Sequence, residues 1–125
     1  MNDLIGLRYG WGHKPGDGSG KTDCFQLTCE ARKRLGLKDY QSQFDWVYQS
    51  YTETTFRYRL VIQWLRENGR RIQTPTFGAV MLLPGREGLA LATVLDDSIL
   101  FIAPSQNVVR SPIPEGFGRC FWMEQ

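Results

Sequence analysis

The first half of the chain carries apolar residues three or four positions apart, which is the spacing of one helix face. After a glycine-rich loop, this spacing is shown by Cys24, Leu27, Thr28, Ala31 and Leu35. Charged residues fall mostly on the other side, at Glu30, Arg32, Lys33 and Arg34. The pattern predicts an amphipathic helix of about three turns. Asp23 is placed to cap its start, with Gln26 in the capping-box position, and Gly36 stands where a left-handed cap would end it.

A second helix is predicted from Thr54 to Asn68, with Gly69 as its terminator. Its apolar positions, which share one face, are Phe56, Leu60, Trp64 and Leu65. A shorter helical turn is predicted to start at Asp45. The aromatic residues of this region are expected in the core and at an interface or, alternatively, along a peptide or glycan groove. They are Trp46, Tyr48, Tyr51, Phe56, Tyr58 and Trp64.

The pattern changes at about residue 72, after which the chain is typical of strands. From Pro75 onward, short apolar runs alternate with clusters of proline, glycine, serine, asparagine and aspartate. The runs cover residues 79–83, 89–95, 99–103, 107–111 and 119–123. Short runs at this spacing, separated by turn residues, predict an antiparallel meander.

Helices followed by strands predict an α+β fold, in which N-terminal helices pack on one face of a C-terminal antiparallel sheet. With 125 residues, the chain has the size of one domain, so we expect residues 1–125 to form a single unit. A content of 42% hydrophobic and 13% aromatic residues excludes a disordered chain. No apolar run approaches the roughly 18 to 20 residues of a membrane span, and the N-terminus lacks the pattern of a secretory signal. We therefore expect neither a membrane span nor a signal peptide.

The charged and metal-binding residues exclude two further classes. The net charge is only +2 and the basic residues are spread along the chain, so we expect no nucleic-acid partner. The three cysteines, Cys24, Cys29 and Cys120, form no C-x-x-C pair, and His13 is the only histidine. Disulfide scaffolds and zinc fingers are thereby excluded, and we expect neither a metal nor a cofactor.

Cys24 is the first candidate for chemistry, because it stands where the glycine-rich loop becomes a helix. A thiol at a helix N-terminus meets unpaired amides and the positive end of the helix dipole, which lower its pKa and favour the nucleophilic thiolate. The alternative is a small buried cysteine in the first turn of a core helix, which is common in proteins. Cys29 and Cys120 are both assigned to the core.

The run from Pro15 to Thr22 is the second candidate, because it approaches the pattern of a phosphate-binding loop. That pattern requires a glycine where Pro15 stands. A phosphate-binding loop also follows a buried strand, whose end directs the backbone amides of the loop at the phosphates. The preceding segment, residues 7–14, does not have the composition of a core strand. A nucleotide-binding domain acting through Gly16 to Thr22 is therefore the third of three functional alternatives.

Two motifs resemble a known family. Tyr9-Gly10-Trp11-Gly12, followed by a loop and by Asp23-Cys24-Phe25-Gln26-Leu27, is similar to the Tyr-x-Trp-Gly-Gly and Asp-Cys-x-Gly-Leu motifs of the NlpC-type papain-like cell-wall cysteine peptidases. The segments 74–81 and 89–111 are similar to the strands that follow in that family. The resemblance spans nearly the whole chain, is closest to the compact versions in tailed-phage tail proteins, and implies a papain-like NlpC-type fold.

The resemblance also implies roles for individual residues. Cys24 matches the nucleophile that attacks a peptide bond of peptidoglycan, and Tyr9 matches a tyrosine near the oxyanion. Trp11 and Asp23, which flank these residues in the two motifs, are implied to contact substrate. In the family, a histidine acts as base and then as acid, and a third polar residue orients it, as in the serine triad.

The catalytic histidine of the family has no counterpart at the expected place. The chain has Leu89 or Ala90 at that position, and about Ile102 where the orienting residue would stand. Loss of a general base typically costs two to four orders of magnitude in rate. His13, at the second glycine of the tyrosine-tryptophan motif, is the one residue that could supply a relocated base.

These departures favour a catalytically degenerate domain over an active peptidase. The sequence predicts a structural or docking component of a phage tail or tail-like particle, made in the cytoplasm of a bacterial host and located in the virion. Its expected partners are other tail or baseplate subunits and peptidoglycan peptide. The alternative is an active peptidoglycan endopeptidase that uses Cys24 with His13 as base.

Overall fold

The computed structural model describes residues 1–57, 59–85, 88–103, 106–114 and 120–123. Over these residues the fold is mixed α+β, as expected from the sequence. Its helices are α1 Cys24–Arg34, α2 Asp45–Ser50 and α3 Arg59–Asn68, with short 3-10 helices at Asn2–Leu4 and Gln41–Phe44. The helices thus precede the main sheet along the chain, in the predicted order.

Six antiparallel strands form the main sheet, in the spatial order β3-β8-β4-β5-β6-β7. They are β3 Gly69–Ile72, β4 Val80–Gly85, β5 Gly88–Val94, β6 Ser98–Phe101, β7 Val109–Pro112 and β8 Cys120–Met123. A separate parallel pair joins β1 Arg8–Tyr9 to β2 Lys21–Thr22. Strands β4 to β7 form the predicted meander, whereas β8 departs from it by inserting between β3 and β4.

Helix α1 ends at the predicted glycine. Gly36 has a φ of +73°, the left-handed region that only glycine adopts at little cost. Its N–H donates to the carbonyl oxygen of Lys33 at 3.1 Å, and the N–H of Leu37 donates to that of Arg32 at 2.9 Å. These two bonds form a Schellman motif, which satisfies carbonyl groups that the helix end leaves open.

Helix α3 begins later than the sequence predicts, at Arg59 rather than Thr54. The threonines before it form a turn of their own: the N–H of Thr52 donates to Oγ1 of Thr55 at 2.8 Å. Threonine hydroxyls that bond nearby backbone compete with helix formation in this way. Phe56 is buried in the core from this turn, and not from the helix face to which it was assigned.

Strand β3 was not predicted, because Gly69, Arg70 and Arg71 lack apolar alternation. The strand exists because it pairs with β8 along its whole length, from Gly69 opposite Met123 to Ile72 opposite Cys120. This position also requires a residue without a side chain, because a Cβ at Gly69 would lie 2.8 Å from the carbonyl oxygen of Trp122. The chain therefore passes directly from α3 into the edge of the sheet.

The core has two parts, one on each face of the sheet. Helix α1 packs against β5 and β6 on one face. The core of that face includes Leu27 from the helix with Leu82, Leu91 and Leu100 from the sheet. On the other face the buried residues are Ala79, Met81, Ala92, Val94, Ile99 and Cys120. Among the described helices, none is long and apolar enough to cross a membrane.

Candidate functional site

Cys24 is the first residue of α1 and is almost completely buried, with 6% of its surface exposed. It belongs to the core on the helix side of the sheet, together with Leu91 and Ile102. The backbone N–H of Leu91 is directed at its sulfur, so Cys24 lies against the second strand of the β4–β5 hairpin. The sulfur is thus enclosed by the sheet and does not face an open cleft.

The environment of Cys24 reverses the expected direction of its pKa. Burial, together with the smaller effect of the neighbouring Asp23 carboxylate, raises the pKa of the thiol to about 12. The Leu91 N–H and amides of the first helical turn only partly oppose this. The expectation that the helix N-terminus lowers this pKa is therefore wrong, because desolvation of a thiolate without a cation outweighs the dipole.

The residue of β5 that lies next to the Cys24 sulfur is Leu91. It follows directly after Leu89 and Ala90, the two predicted positions of the catalytic histidine. Because side chains alternate along a strand, Ala90 belongs to the opposite face of the sheet from Leu91. The side chain of Leu89 lies outside the described part of the structure. Ile102, at the predicted place of the orienting residue, is fully buried in the same core as Cys24. The core around Cys24 thus includes the apolar residues Leu91 and Ile102.

The imidazole of His13 pairs with Asp17 and not with Cys24. Its Nδ1 lies 3.1 Å from Oδ2 of Asp17, and its side chain is 45% exposed. Between His13 and the sulfur of Cys24, both of which are described, the structure has no hydrogen bond. The backbone is close, since the N–H of Asp23 donates to the carbonyl oxygen of His13 at 3.1 Å. The loop thus brings His13 to the helix start, but its imidazole pairs with a carboxylate.

Asp23 is fully buried and joins three parts of the chain. Its Oδ1 accepts the N–H of Gln26 at 2.9 Å, which is the predicted helix cap. Its Oδ2 accepts the N–H of Gly12 at 2.8 Å and the hydroxyl of Tyr48 at 2.6 Å. Its own N–H donates to His13, so the capping box with Gln26 is only half formed. We call these four residues, Asp23, Gln26, Gly12 and Tyr48, the Asp23 clamp.

Burial also governs the ionisation of this clamp. It raises the pKa of the Asp23 carboxyl above its usual value, against the opposing effect of the three hydrogen bonds. It raises the pKa of Tyr48 as well, to which the adjacent Asp23 carboxylate contributes. Tyr48 therefore stays protonated and acts as a donor to Asp23. The sequence gives no signal for this pairing, because 25 residues separate the two side chains.

Trp11 packs over the start of α1 and does not stand free for a substrate. Its ring centroid lies 5.3 Å from that of Tyr48, 5.7 Å from Phe56 and 6.4 Å from Phe25. The predicted aromatic residues continue this cluster or pack beside it: Trp46, Tyr48, Tyr51, Phe56 and Trp64 all contact the helix-side core. Tyr58 lies outside the described residues. Of the five that are described, Phe56 is buried in the core and the other four are half buried against it, while the interface and groove alternatives stay predictions.

Tyr9 lies in β1, where it is half buried against the helix-side core. Its backbone N–H donates to the carbonyl oxygen of Gln106 at 3.0 Å, which ties the strand to the loop before β7. Near α1, the small internal cavity of about 10 Å³ lies beside Cys29 and Arg32 rather than Cys24. Such a cavity holds about one water at most, so it is no substrate site.

The segment from Gly16 to Thr22 does not have the geometry of a phosphate-binding loop. Lys21 and Thr22 form β2 and not the first turn of a helix. The Asp17 carboxylate already accepts the N–H and hydroxyl of Ser19, at 2.9 and 2.6 Å, and the N–H of Lys14 at 3.1 Å. The loop amides therefore bind an internal carboxylate where a phosphate would be needed. Among the described residues, no group of histidine, cysteine, aspartate or glutamate side chains could hold a metal ion.

Comparisons of the chain with protein-family models, with curated proteins and with solved structures gave no match. The resemblance to the NlpC-type family therefore stays a prediction that rests on the two sequence motifs.

Proposed function

We propose that this chain is a catalytically inactive domain of papain-like NlpC-type architecture that serves as a structural or docking component. The observation that carries the proposal is the position of Cys24. Its sulfur is buried among apolar side chains, with Leu91 against it from the sheet and no imidazole bonded to it. A thiol in this state is a core residue.

The placement of Cys24 supports the family part of the proposal. The cysteine begins a helix that packs across an antiparallel sheet, and its sulfur lies against the second strand of a hairpin. This is the element on which the resemblance expects the catalytic histidine. This placement is consistent with the proposed family, in which Leu89 or Ala90 would stand where the catalytic histidine is expected.

Three requirements of cysteine peptidase chemistry are not met. The nucleophile must be a thiolate, and a pKa of about 12 leaves only about one thiolate in 100,000 molecules at neutral pH. A base must take the proton, and an acid must deliver one to the leaving amine. Leu89 and Ala90, at the predicted place of the histidine, and Ile102, at that of the orienting residue, have apolar side chains that cannot transfer a proton. Each missing part lowers the rate, so we expect no peptidase turnover.

The residues of the family motifs have other tasks here. Asp23 fixes the helix start to the loop and to Tyr48, and Trp11 covers this junction. Within the described part of the chain, these contacts fix the helix start and Cys24 is buried beneath it, which suits a subunit of an assembly. The proposal of a phage tail or tail-like particle, with other tail or baseplate subunits as partners, rests on the resemblance to compact tail proteins.

A cleavage assay tests the proposal. Purified peptidoglycan fragments are incubated with the wild type, with Cys24→Ala and with the matched core variant Cys29→Ala, and new amino groups are counted. We expect the wild type to release no more amino groups than Cys24→Ala. Turnover that Cys29→Ala retains and Cys24→Ala loses would overturn the proposal.

The second candidate, an active endopeptidase using Cys24 and His13, is favoured by one observation. The backbone bond from Asp23 to His13 brings the loop next to the helix start. The imidazole would have to leave Asp17, and the sulfur would have to become exposed. Loss of activity in both Cys24→Ala and His13→Ala, from an active wild type, would establish this function.

A further inference from the structure

The stretch from Arg57 to Arg71 carries an excess of positive charge. Residues 57–71 contain five arginines, no lysine and one glutamate, a net charge of +4, whereas the whole chain has +2. The arginines are Arg57, Arg59, Arg66, Arg70 and Arg71, and all five are exposed. They lie just before α3, on it, and on β3, which follows it directly. We call this set the arginine surface.

No carboxylate of the described residues neutralises the arginine surface. None of its five side chains forms an ion pair within the described part of the chain. Glu67, the one acid of this stretch, instead accepts a hydrogen bond from Gln63 at 3.1 Å. Arg34 and Arg110, by contrast, both pair with aspartates. The charges of the arginine surface are therefore free to bind another molecule.

The stability of the fold does not explain where the three arginines at α3 stand. Arg57 and Arg59 flank the start of α3, the positive end of the helix dipole, and the first turn has no acidic residue. Positive charge at this end destabilises a helix, since the dipole favours acids there. Arg59 and Arg66 are seven residues apart, so they share one face about two turns apart. The opposite face, with Val61 and Leu65, is buried in the core.

Strand β3 gives this surface an open backbone edge. It stands at one end of the sheet and, among the described strands, pairs only with β8. The backbone N–H and carbonyl groups on its other edge therefore have no described strand as a partner. Charges on an edge strand commonly prevent unwanted pairing. That role would account for Arg70 and Arg71 but not for the three arginines at α3.

We propose that the arginine surface binds an acidic polypeptide segment, which adds to the sheet as an extended strand beside β3. Backbone hydrogen bonds to an open edge supply affinity in this mode, and side chains supply specificity. Arginine forms paired hydrogen bonds with carboxylates. Arg70 and Arg71 are consecutive in β3 and stand on opposite faces of the sheet, so each would recognise an acidic side chain on its own face of the added strand. The three arginines at α3 attract the same segment over longer range. This inference rests on the proposed docking function and gives its partner a chemistry.

The test uses a labelled octapeptide with the sequence Glu-Glu-Val-Val repeated twice, which presents glutamate on both faces of an extended strand, and binding is followed by fluorescence anisotropy at low salt. We expect Arg70→Glu/Arg71→Glu to weaken binding about tenfold or more, since tenfold corresponds to about 1.4 kcal/mol. The matched control is Arg8→Glu, an exposed arginine on β1, which should change the affinity less than about twofold. The same peptide with alternate backbone nitrogens methylated should also bind about tenfold more weakly, because it cannot form the strand bonds.

Four results would overturn the proposal. They are unchanged binding by the double variant, an equal loss in Arg8→Glu, equal binding of the methylated peptide, and tighter binding of an oligothymidylate of equal charge. The last would identify a nucleic acid as the partner. Cleavage of peptidoglycan by a wild type that binds the peptide would refute only the proposed inactivity, so the two proposals fail separately.

Discussion

Two aspartates near the N-terminus each accept hydrogen bonds from the chain's own donors, yet their pKa values move in opposite directions. Asp17 lies in the exposed loop, where bonds from the hydroxyl and amide of Ser19 and the amide of Lys14 hold its pKa well below the usual range. Asp23 lies in the clamp at the helix start, where burial raises its pKa despite three such bonds. The same kinds of donor, backbone amides and a hydroxyl, thus accompany opposite pKa shifts, and the exposure of the carboxylate decides the direction.

The difference has a structural counterpart. Asp17 organises only its own loop, with all its partners within four residues. Asp23 connects the loop, α1 and α2, with partners 11 and 25 residues away. We therefore expect the clamp to be essential for the fold, and the loop bonds to shape a surface.

The largest expected effect is that of Asp23→Ala. It removes a helix cap and leaves the Gly12 N–H and the Tyr48 hydroxyl without their acceptor at a partly buried place. We expect a loss of about 3 kcal/mol in the free energy of unfolding, measured by urea denaturation. A loss below about 1 kcal/mol would show that water replaces the carboxylate and that the clamp does not join these elements.

Tyr48→Phe sharpens the comparison, because it removes a single hydroxyl from the clamp and keeps the ring that packs on Trp11. We expect a loss of about 1 kcal/mol by the same measurement, since Asp23 keeps the amides of Gly12 and Gln26. Tyr51→Phe is the matched control for an aromatic hydroxyl outside the clamp. An equal loss in both variants would contradict a specific role for the Tyr48 bond.

Asp17→Ala should have a smaller effect than either clamp variant. Its donors in the loop are exposed, so water can replace the carboxylate. We expect a melting temperature close to that of the wild type, and faster amide hydrogen exchange confined to the loop. A fall in melting temperature as large as that of Asp23→Ala would contradict the distinction between the two aspartates.

The smallest effects concern pH, and they have opposite signs. The pKa of Asp17 falls below 3.8 on folding, so its contribution to stability is present above that pH and is lost as the pH falls through the folded value. Folding raises the pKa of Asp23 above 3.8. The contribution of Asp23 to stability is therefore largest below pH 3.8 and declines as the pH rises from 3.8 to the pKa in the folded state.

Two variants separate these contributions, each compared with the wild type at about pH 3 and about pH 7. The wild type should exceed Asp17→Asn in stability by less at about pH 3 than at about pH 7. It should exceed Asp23→Asn by more at about pH 3 than at about pH 7. Two differences that change in the same direction would contradict the opposite shifts.

Much of the fold could be predicted from sequence because its signals are local. The cap at Asp23, the glycine at 36 and the alternating runs of β4 to β7 depend on neighbours along the chain. The late start of α3 depends on threonine side chains that compete with the backbone. Strand β3 and the place of β8 depend on pairing between distant segments, for which residues 69–72 give no signal of their own.

The site was predictable only in part, for the same reason. The motif identified Cys24, Asp23 and Trp11, which the structure does place together. It could not give the burial of Cys24, which depends on Leu91 and the sheet, nor the bond from Tyr48. Arg32, assigned to the solvent side of α1, is instead buried, where it donates to the carbonyl oxygens of Lys38 and Gly78 and stacks on Tyr40. Burial is a property of the packed fold and is not visible in one helix.

The most direct test of the account is the pH dependence of alkylation at Cys24. The rate of iodoacetamide modification is measured separately for Cys24, Cys29 and Cys120 by peptide mass spectrometry across neutral and alkaline pH. The account predicts that Cys24 reacts no faster than Cys29 near neutral pH and shows no titration there, because burial raises its pKa to about 12. Rapid modification of Cys24 alone, with a titration midpoint near or below neutral pH, would show a working nucleophile and contradict the account.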